Sequence, residues 1–480
     1  MDVGIKSFGI YLPYYYMARE AISSAWETKG PKGKKSIANV DEDVVTMAVE
    51  AAMDCFRFVD RSDIKSLFFA STTAPYAEKA HSALISVACD LENHSVFTSD
   101  FAQSTRAGTN ALMVACDAAK ANDGRSTLVV ASDMRKAYPK SSEELTLGDA
   151  AAALVIGGGD VLATIDGSLS LNDEIVDIWR NAGDAYISQG EGRFVVDKGY
   201  MRVMGEIVRA ILGKYALEPK SIAKVVFPAA GAGNAAKLAK KCGFAPEQVQ
   251  DTLLGSVGNS GTAQAFLGII GALEGAKPGD KILVADYGSG ANAFILTATK
   301  AIGKIRGFDT IQRFLGNRKE FGSYARYLSF REIAPAQPGS PFKLPASAAM
   351  TWREQNLNIR LHGSRCSECG ATIFPVNRVC HACGAKDKYE EFRASDLVTK
   401  VFTYSVDKYA GRSDDPVLIQ TVTEDGNGTH YYTIMTDFNV EDVSVGMDVE
   451  FTFRKMHSLG NFPNYYWKLR PLRREKRATI

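Results

Sequence analysis

The sequence lacks an excess of either charge: 56 Lys and Arg stand against 55 Asp and Glu, a net of +1. That balance removes the electrostatic case for nucleic acid or an acidic membrane surface as a partner. Long apolar runs are missing too. Ala265–Leu273 is among the longest and is far short of a bilayer span. The opening Met1-Asp-Val-Gly-Ile-Lys6 lacks the charged-then-apolar order of a secretion signal. The basic residues near the end (Arg470, Arg473, Arg474, Lys476, Arg477) form a short run, read as a solvated end. Histidine is scarce: there are 6, and none between His94 and His362, so that stretch cannot supply a catalytic imidazole.

Cysteine is where chemistry first becomes visible. Cys366-Ser-Glu-Cys369-Gly and Cys380-His-Ala-Cys383-Gly make two CxxC pairs separated by 10 residues. Each pair sets two thiolates on a tight knuckle with a glycine behind it, and four thiolates so spaced match the tetrahedral preference of zinc. A closed four-sulfur shell leaves no open position, so structural zinc is expected at Cys366, Cys369, Cys380 and Cys383. The other cysteines are scattered, and a reducing cytoplasm is the expected compartment.

Up to about residue 300, apolar β-rich runs alternate with amphipathic helical stretches. Strands are expected at Ser66–Ser71, Thr127–Ser132, Ala152–Gly157, Lys224–Phe227, Lys281–Asp286 and Ala293–Ala298, and helices at Asp43–Phe56, Thr105–Ala121, Tyr200–Leu217 and Thr262–Glu274. This is the pattern of a layered α/β domain. Thr127-Leu-Val-Val-Ala-Ser-Asp133 resembles Lys281-Ile-Leu-Val-Ala-Asp-Tyr287, each followed by a loop and an apolar strand, which indicates two copies of one unit with a seam near residues 160–180. Proline, glycine and serine then accumulate at 334–341 and 344–350, a linker or wrapping segment. A short helix is expected at Thr351–Asn358. Beyond the knuckles, Lys400–Ser405, Val417–Thr423, His430–Thr436, Val449–Arg454 and Tyr465–Leu472 have period-two character, and Asp425-Gly-Asn-Gly428 is a turn signal. Five short strands of this kind suggest a small OB-type β-barrel.

Several local signatures resemble the thiolase superfamily, and within it the hydroxymethylglutaryl-CoA synthase branch of archaeal and bacterial type. Ser104-Thr-Arg-Ala-Gly-Thr109 occupies the elbow where that family has Cys-x-x-Gly-Thr. Asp177-Ile-Trp-Arg180 and Gly192–Tyr200 are similar to the archaeal synthases. Gly258-Asn259-Ser-Gly261 matches a turn that presents an active-site amide, and Tyr287-Gly-Ser-Gly290 a late glycine loop. From about Thr351 the chain resembles zinc-ribbon plus OB-fold proteins that accompany thiolase-like enzymes and help hold acyl-CoA. The resemblance implies a duplicated, five-layered αβαβα domain with halves at 1–165 and 166–300, then a linker at 301–350, a helix and zinc ribbon at 351–395 and an OB-fold at 396–480. It also implies an acyl-CoA substrate, and a homodimer or a hetero-oligomer with a thiolase-like subunit.

The family mechanism uses a cysteine, a histidine, a glutamate and an asparagine amide, and here only the amide is kept. The cysteine position is Thr105, and loop matching puts the glutamate at Thr72. The histidine segment reads Val226-Phe227-Pro228-Ala-Ala-Gly-Ala-Gly233. A threonine hydroxyl gains far less than a thiol from a helix N-terminus and needs a neighbouring base to become a nucleophile. Backbone donors at the elbow, with Asn259, can still stabilise a thioester enolate oxygen. The expected activity is aldol or retro-aldol chemistry beside a CoA thioester without an acyl-enzyme. The alternative is a non-catalytic scaffold that supports an active thiolase partner and binds acyl-CoA through its barrel. The candidate catalytic residues are Asn259, Thr105 and Tyr287. Thr105 either bonds the thioester or caps its helix, and Tyr287 either handles a proton or is an ordinary strand-end tyrosine. Gly261, Gly288, Gly290 and Lys237 are candidates for holding substrate or CoA. Tyr76, Asp133 and Tyr138 are expected near the pocket mouth, and His81 and His94 in surface or core roles. Cys116, about three helical turns below the elbow, is expected to be a core thiol.

Overall fold

Nine strands of the first 300 residues form one sheet: β1 (Val3–Tyr11), β2 (Ile64–Ala70), β3 (Phe97–Phe101), β4 (Ser126–Asp133), β5 (Ala150–Gly158), β6 (Ala163–Asn172), β7 (Lys224–Val226), β8 (Lys281–Tyr287) and β9 (Gly290–Ala298). Their order is β7-β8-β9-β6-β1-β5-β4-β2-β3. The computed structural model describes residues 2–91, 95–228, 231, 233–334, 347–412, 415–458 and 462–473. His94, Ala229, Ala230 and Ala232 of the histidine segment, most of the proline-rich stretch, and Arg474, Lys476 and Arg477 lie outside the described residues. The chain divides into two units. One comprises Met1–Asn39, Met47–Ser86 and Leu91–Tyr324, and the other Val40–Thr46, Val87–Asp90 and Ala325–Ile480.

The duplication is visible in the sheet of the first unit. One half runs β3-β2-β4-β5-β1. The other runs β7-β8-β9-β6, and where its fifth strand would stand beyond β7 there is a single parallel bridge, Val225 to Val249. Both halves end in an antiparallel pair, β4 with β5 and β8 with β9. Gly4 pairs with Thr164 and Ile5 with Ala163, so β1 and β6 join the halves. A Cβ on Gly4 would lie 2.1 Å from the Ala163 carbonyl oxygen, so only glycine permits this crossing. β4 and β5 are buried along their whole length, which is why they read as unbroken apolar runs rather than alternating ones.

Helices α1 (Val44–Cys55), α2 (Ala107–Ala121), α3 (Met201–Lys214) and α5 (Gln264–Glu274) fall where periodicity placed them, with ends shifted by up to a turn, and α4 (Asn234–Lys241) lies between α3 and α5 in the chain. α2 and α5 touch each other and strands of both halves, while α3 packs on β6, β8 and β9. This is the layered α/β arrangement expected. Past β9 the chain makes a turn at Lys300–Ile305 and a helix at Thr310–Gly316, whose Phe314 meets Tyr11 edge-on at 6.0 Å.

In the second unit, helix Ala348–Arg353 and a wider turn, Asn356–Arg360, precede a ribbon of β10 (His362–Cys366), β11 (Thr372–Ile373) and β12 (Tyr389–Arg393). Then β13 (Val398–Asp407), β14 (Leu418–Glu424), β15 (His430–Ile434), β16 (Asp448–His457) and β17 (Asn464–Pro471) lie in the order β15-β14-β13-β16-β17. A parallel bridge from Met435 to Leu469 brings the two ends together, giving a nearly closed five-stranded barrel. Tyr431, Phe451, Phe453, Trp467 and Leu469 fill it. One expectation is overturned here. Arg470 is fully buried and donates from Nε to Glu450 at 2.8 Å, and Arg473 is buried as well, so neither belongs to a solvated tail. Composition could not separate them from the basic residues that follow, and alternation could not either, because β17 turns Tyr465, Trp467 and Leu469 inward and Arg470 is buried against that pattern. Among the described residues no helix is long and apolar enough to cross a membrane.

Candidate functional site

The turn that ends β3 and opens α2 carries Ser104 and Thr105 into a cleft of about 960 Å³ in the first unit. The late glycine loop supplies Tyr287, Gly288 and Ser289, the loop after β2 supplies Ser71, Thr72, Tyr76 and His81, and the 177–183 segment supplies Asp177 and Arg180.

Thr105 does not cap its helix. Its hydroxyl donates to the Tyr287 carbonyl at 3.0 Å, and Ser104 Oγ donates to the Gly288 carbonyl at 3.0 Å. A Cβ on Gly288 would stand 2.5 Å from Ser104 Oγ and 2.8 Å from Thr105 Oγ1. Gly288 is therefore a contact glycine, present so that the late loop can lie on the elbow. Among the described residues the Thr105 backbone N–H has no hydrogen-bond partner. Below the elbow, Asn292 Nδ2 donates to Thr109 Oγ1 at 3.1 Å, and Thr109 Oγ1 donates to Asp286 Oδ2 at 2.9 Å. Burial pushes the Asp286 carboxyl up to about 7, against the pull of these hydrogen bonds and of Arg106.

Tyr287 is half-buried and lines the cleft beside Asp177. Its hydroxyl donates to Asp177 Oδ2 at 2.5 Å, and the other Asp177 oxygen accepts from the Ile178 N–H at 2.7 Å. Burial, and then the bond to Asp177, push the phenol far above its ordinary value, so it stays protonated at neutral pH. Nothing local in the sequence signals this pair, because 110 residues separate its members.

The Thr72 side chain is engaged as well. Thr72 Oγ1 donates to Asp133 Oδ1 at 3.0 Å. Asp133 is fully buried rather than at the pocket mouth, and it accepts from Ser71 Oγ, Thr72 N, Thr72 Oγ1, Thr73 Oγ1 and Thr262 N at 2.7–3.1 Å. It ties the β2 loop to the Asn259 turn. Asn259 Oδ1 accepts from the Gly261 N–H at 3.0 Å, which leaves Nδ2 without a partner among the described residues. Gly261, at φ +57, has Asp133 Oδ2 2.2 Å from where its Cβ would be.

The structure thus brings Thr105, Tyr287 and Gly288 together at the cleft. It does not bring Lys237, which is exposed on α4, nor Gly290, whose missing Cβ makes room for the Leu171 carbonyl. Asn259 and Gly261 sit behind the wall, held by Asp133. Tyr138 is exposed and meets Tyr186 at a 35° tilt with centroids 4.7 Å apart, and it is not among the residues lining the cleft. Cys116 is buried, and its thiol is pushed up to about 12. His81 is buried, in keeping with the core role expected of it, and also lines the cleft. Its Nδ1 pairs with Asp100 at 2.7 Å, while Nε2 accepts from the Tyr76 N–H at 3.1 Å. Desolvation pushes Asp100 up, but bonds from His81 and Ser82 outweigh it and hold the carboxyl at about 2. With both ring nitrogens engaged, His81 fixes the 76–81 loop.

In the second unit the four cysteine sulfurs lie within 4.8 Å of one another, with Cys366 to Cys383 at 3.7 Å and Cys369 to Cys380 at 3.5 Å. Zn–S bonds of ~2.3 Å in a tetrahedron put sulfurs ~3.8 Å apart, so the cage fits zinc. The two knuckles share one backbone pattern: Gly370 N–H donates to Cys366 O and Gly384 N–H to Cys380 O, both at 2.9 Å. Both glycines have positive φ, +76 and +74.

Residues 358–388 match the family model described as the rubredoxin-like zinc ribbon domain of ChsH2. The chain is 30% identical over 347 residues to the hydroxymethylglutaryl-CoA synthase of Pyrobaculum arsenaticum, covering 69% of this chain and 99% of that protein. It is 32% identical over 340 residues to the synthase of Aeropyrum pernix, covering 68% and 94%. Among solved structures, an HMG-CoA synthase complexed with CoA superposes with a TM-score of 0.65 at 20% identity over 72% of this chain and 94% of that one. A 3-oxoacyl-[acyl-carrier-protein] synthase III from Aquifex aeolicus superposes at 0.55, with 21% identity over 62% and 99%. The chain covers nearly the whole length of these synthases at 30–32% identity, and on that it belongs to the hydroxymethylglutaryl-CoA synthase family.

Proposed function

We propose that the cleft binds an acyl-CoA thioester, and that the protein makes or breaks the carbon–carbon bond next to it by aldol or retro-aldol chemistry without an acyl-enzyme. The observation that carries this reading is the elbow. Where the family has its cysteine, a threonine hydroxyl is spent on the Tyr287 carbonyl. Where the family has its glutamate, Thr72 is spent on Asp133. A nucleophile so held, with no base beside it, supports no covalent step. The free Thr105 N–H at a helix start is suited to an enolate oxygen. The relatives are named as synthases of hydroxymethylglutaryl-CoA, and related structures hold CoA or 3-hydroxy-3-methylglutaryl coenzyme A, which supports a CoA thioester as the ligand class. The zinc is structural in this reading. We read the barrel as OB type on its strand order. The exposed edge strand β3, just before the elbow, supports a homodimer by analogy with the superfamily.

A second reading rests on the same substitutions. Thr105 and Thr72 are also what an inactive subunit would carry while scaffolding a thiolase-like partner. The two readings separate when the purified chain is incubated with a panel of 3-hydroxyacyl-CoA esters and free carbonyl product is followed. Turnover by the chain alone supports the first. Turnover only on adding a co-purifying thiolase-like protein supports the second.

A further inference from the structure

We propose that Tyr287 and Asp177 form the proton-transfer couple of this cleft, with Tyr287 as the catalytic acid–base that touches substrate and Asp177 as the positioning residue that exchanges its proton. This rests on the acyl-CoA reading above and names the group that reading lacks, a base. Both residues line the cleft, and their oxygens are 2.5 Å apart. The Tyr287 backbone is pinned on both sides: its N–H donates to Asp286 Oδ1 at 3.0 Å and its carbonyl accepts from Thr105. Tyr200 holds the ring edge-on at 5.9 Å. A Cβ on Gly199 would lie 2.4 Å from the Tyr287 hydroxyl and 3.2 Å from Asp177 Oδ2, so the pair occupies space that only glycine leaves open. The second Asp177 oxygen is fixed by Ile178 N–H, which aims the first at the phenol. No other cleft residue offers the same arrangement. His81 has both ring nitrogens engaged, and Asp133 is closed behind the wall.

In the cleaving direction, the phenolic oxygen takes the proton of a substrate 3-hydroxyl while its own proton passes to Asp177. The C2–C3 bond breaks, its electron pair moves to the thioester carbonyl oxygen as an enolate, and C3 leaves as a free carbonyl. The proton on Asp177 then returns through Tyr287 to C2. One proton moves from the hydroxyl to C2, and no oxidant or reductant is consumed. Simultaneous transfer avoids a free phenolate, which this half-buried tyrosine resists beside Asp177.

The half-reaction at C2 needs no knowledge of the acyl chain. The full chain is mixed with propionyl-CoA in deuterium oxide, C2 exchange is followed by NMR, and propionyl-CoA affinity is measured in parallel. Tyr287→Phe and Asp177→Asn should each slow exchange by roughly 100-fold or more while affinity is unchanged, and Asp177→Glu should recover part of the rate. Exchange at the wild-type rate in both Tyr287→Phe and Asp177→Asn overturns the couple and leaves the acyl-CoA reading standing. Loss of affinity in step with exchange gives Asp177 a merely structural role and also overturns it. A wild-type chain that neither binds nor exchanges propionyl-CoA overturns the acyl-CoA reading itself. If Asp177→Asn does not fold, Tyr287→Phe, which removes one oxygen, decides alone.

Discussion

Replacing Asp133 by asparagine keeps its volume and takes away half of its accepting power. Five donors converge on that carboxylate, and they are not equivalent. The three hydroxyls can rotate to other acceptors. The Thr72 N–H at 2.7 Å on Oδ1 and the Thr262 N–H at 2.8 Å on Oδ2 cannot, because the backbone fixes them. An asparagine offers one carbonyl oxygen, so in either orientation one of these amides faces an NH2 group. A buried, unpaired N–H costs ~1–3 kcal/mol. With an unfolding slope of about 3 kcal/mol per molar urea, the midpoint of the first unit should fall by ~0.3–1 M. Thr72→Val, which removes one rotatable donor, should shift it much less. The assay is urea unfolding followed by tryptophan fluorescence. An Asp133→Asn midpoint equal to wild type would refute the idea that this carboxylate ties the β2 loop to the Asn259 turn.

Further expectations follow from single contacts. Gly199→Ala drives a methyl group against the Tyr287 hydroxyl and should abolish C2 exchange while leaving the circular dichroism spectrum intact. Asp286 has its folded pKa raised from 3.8 to about 7, so the folded state holds a proton that the unfolded chain releases; first-unit stability should fall as pH rises through that window, and Asp286→Asn should flatten the fall in urea midpoints. Fully buried Arg454 lies against Glu42 and donates to Asp437 Oδ2 at 2.6 Å, so Arg454→Met, which takes away the cation both buried carboxylates face, should destabilise the second unit by ~3–5 kcal/mol in thermal melts. Metal analysis should find one zinc per chain, and Cys369→Ser should lower that content and melt the ribbon first.

Much of the fold was legible because burial on both faces writes an unambiguous signature. β4, β5, β8 and β9 each carry a central apolar run, and the knuckles carry their spacing on the surface of the sequence. β3 was missed because Phe97–Phe101 is an edge strand with no alternation, and β1 because nothing in Val3–Tyr11 says that it joins two half-sheets. In the site, the elbow and the late loop could be found as motifs, and Thr105, Tyr287 and Gly288 do meet. Their partners could not be. Asp177 lies 110 residues from Tyr287, and Asp133 lies 129 from Thr262, so only folding brings each carboxylate to its donor. Gly261 and Gly290 looked like ligand-cradling glycines, but their open faces are filled by the protein itself. A glycine signals close approach without saying what approaches.

Whether this cleft works on a thioester without bonding to it can be read from the mass of the intact chain. The protein is quenched in acid during turnover of a 3-hydroxyacyl-CoA and weighed. The account predicts the unmodified mass throughout, with free carbonyl product accumulating. An added acyl mass that maps to Thr105 would contradict it.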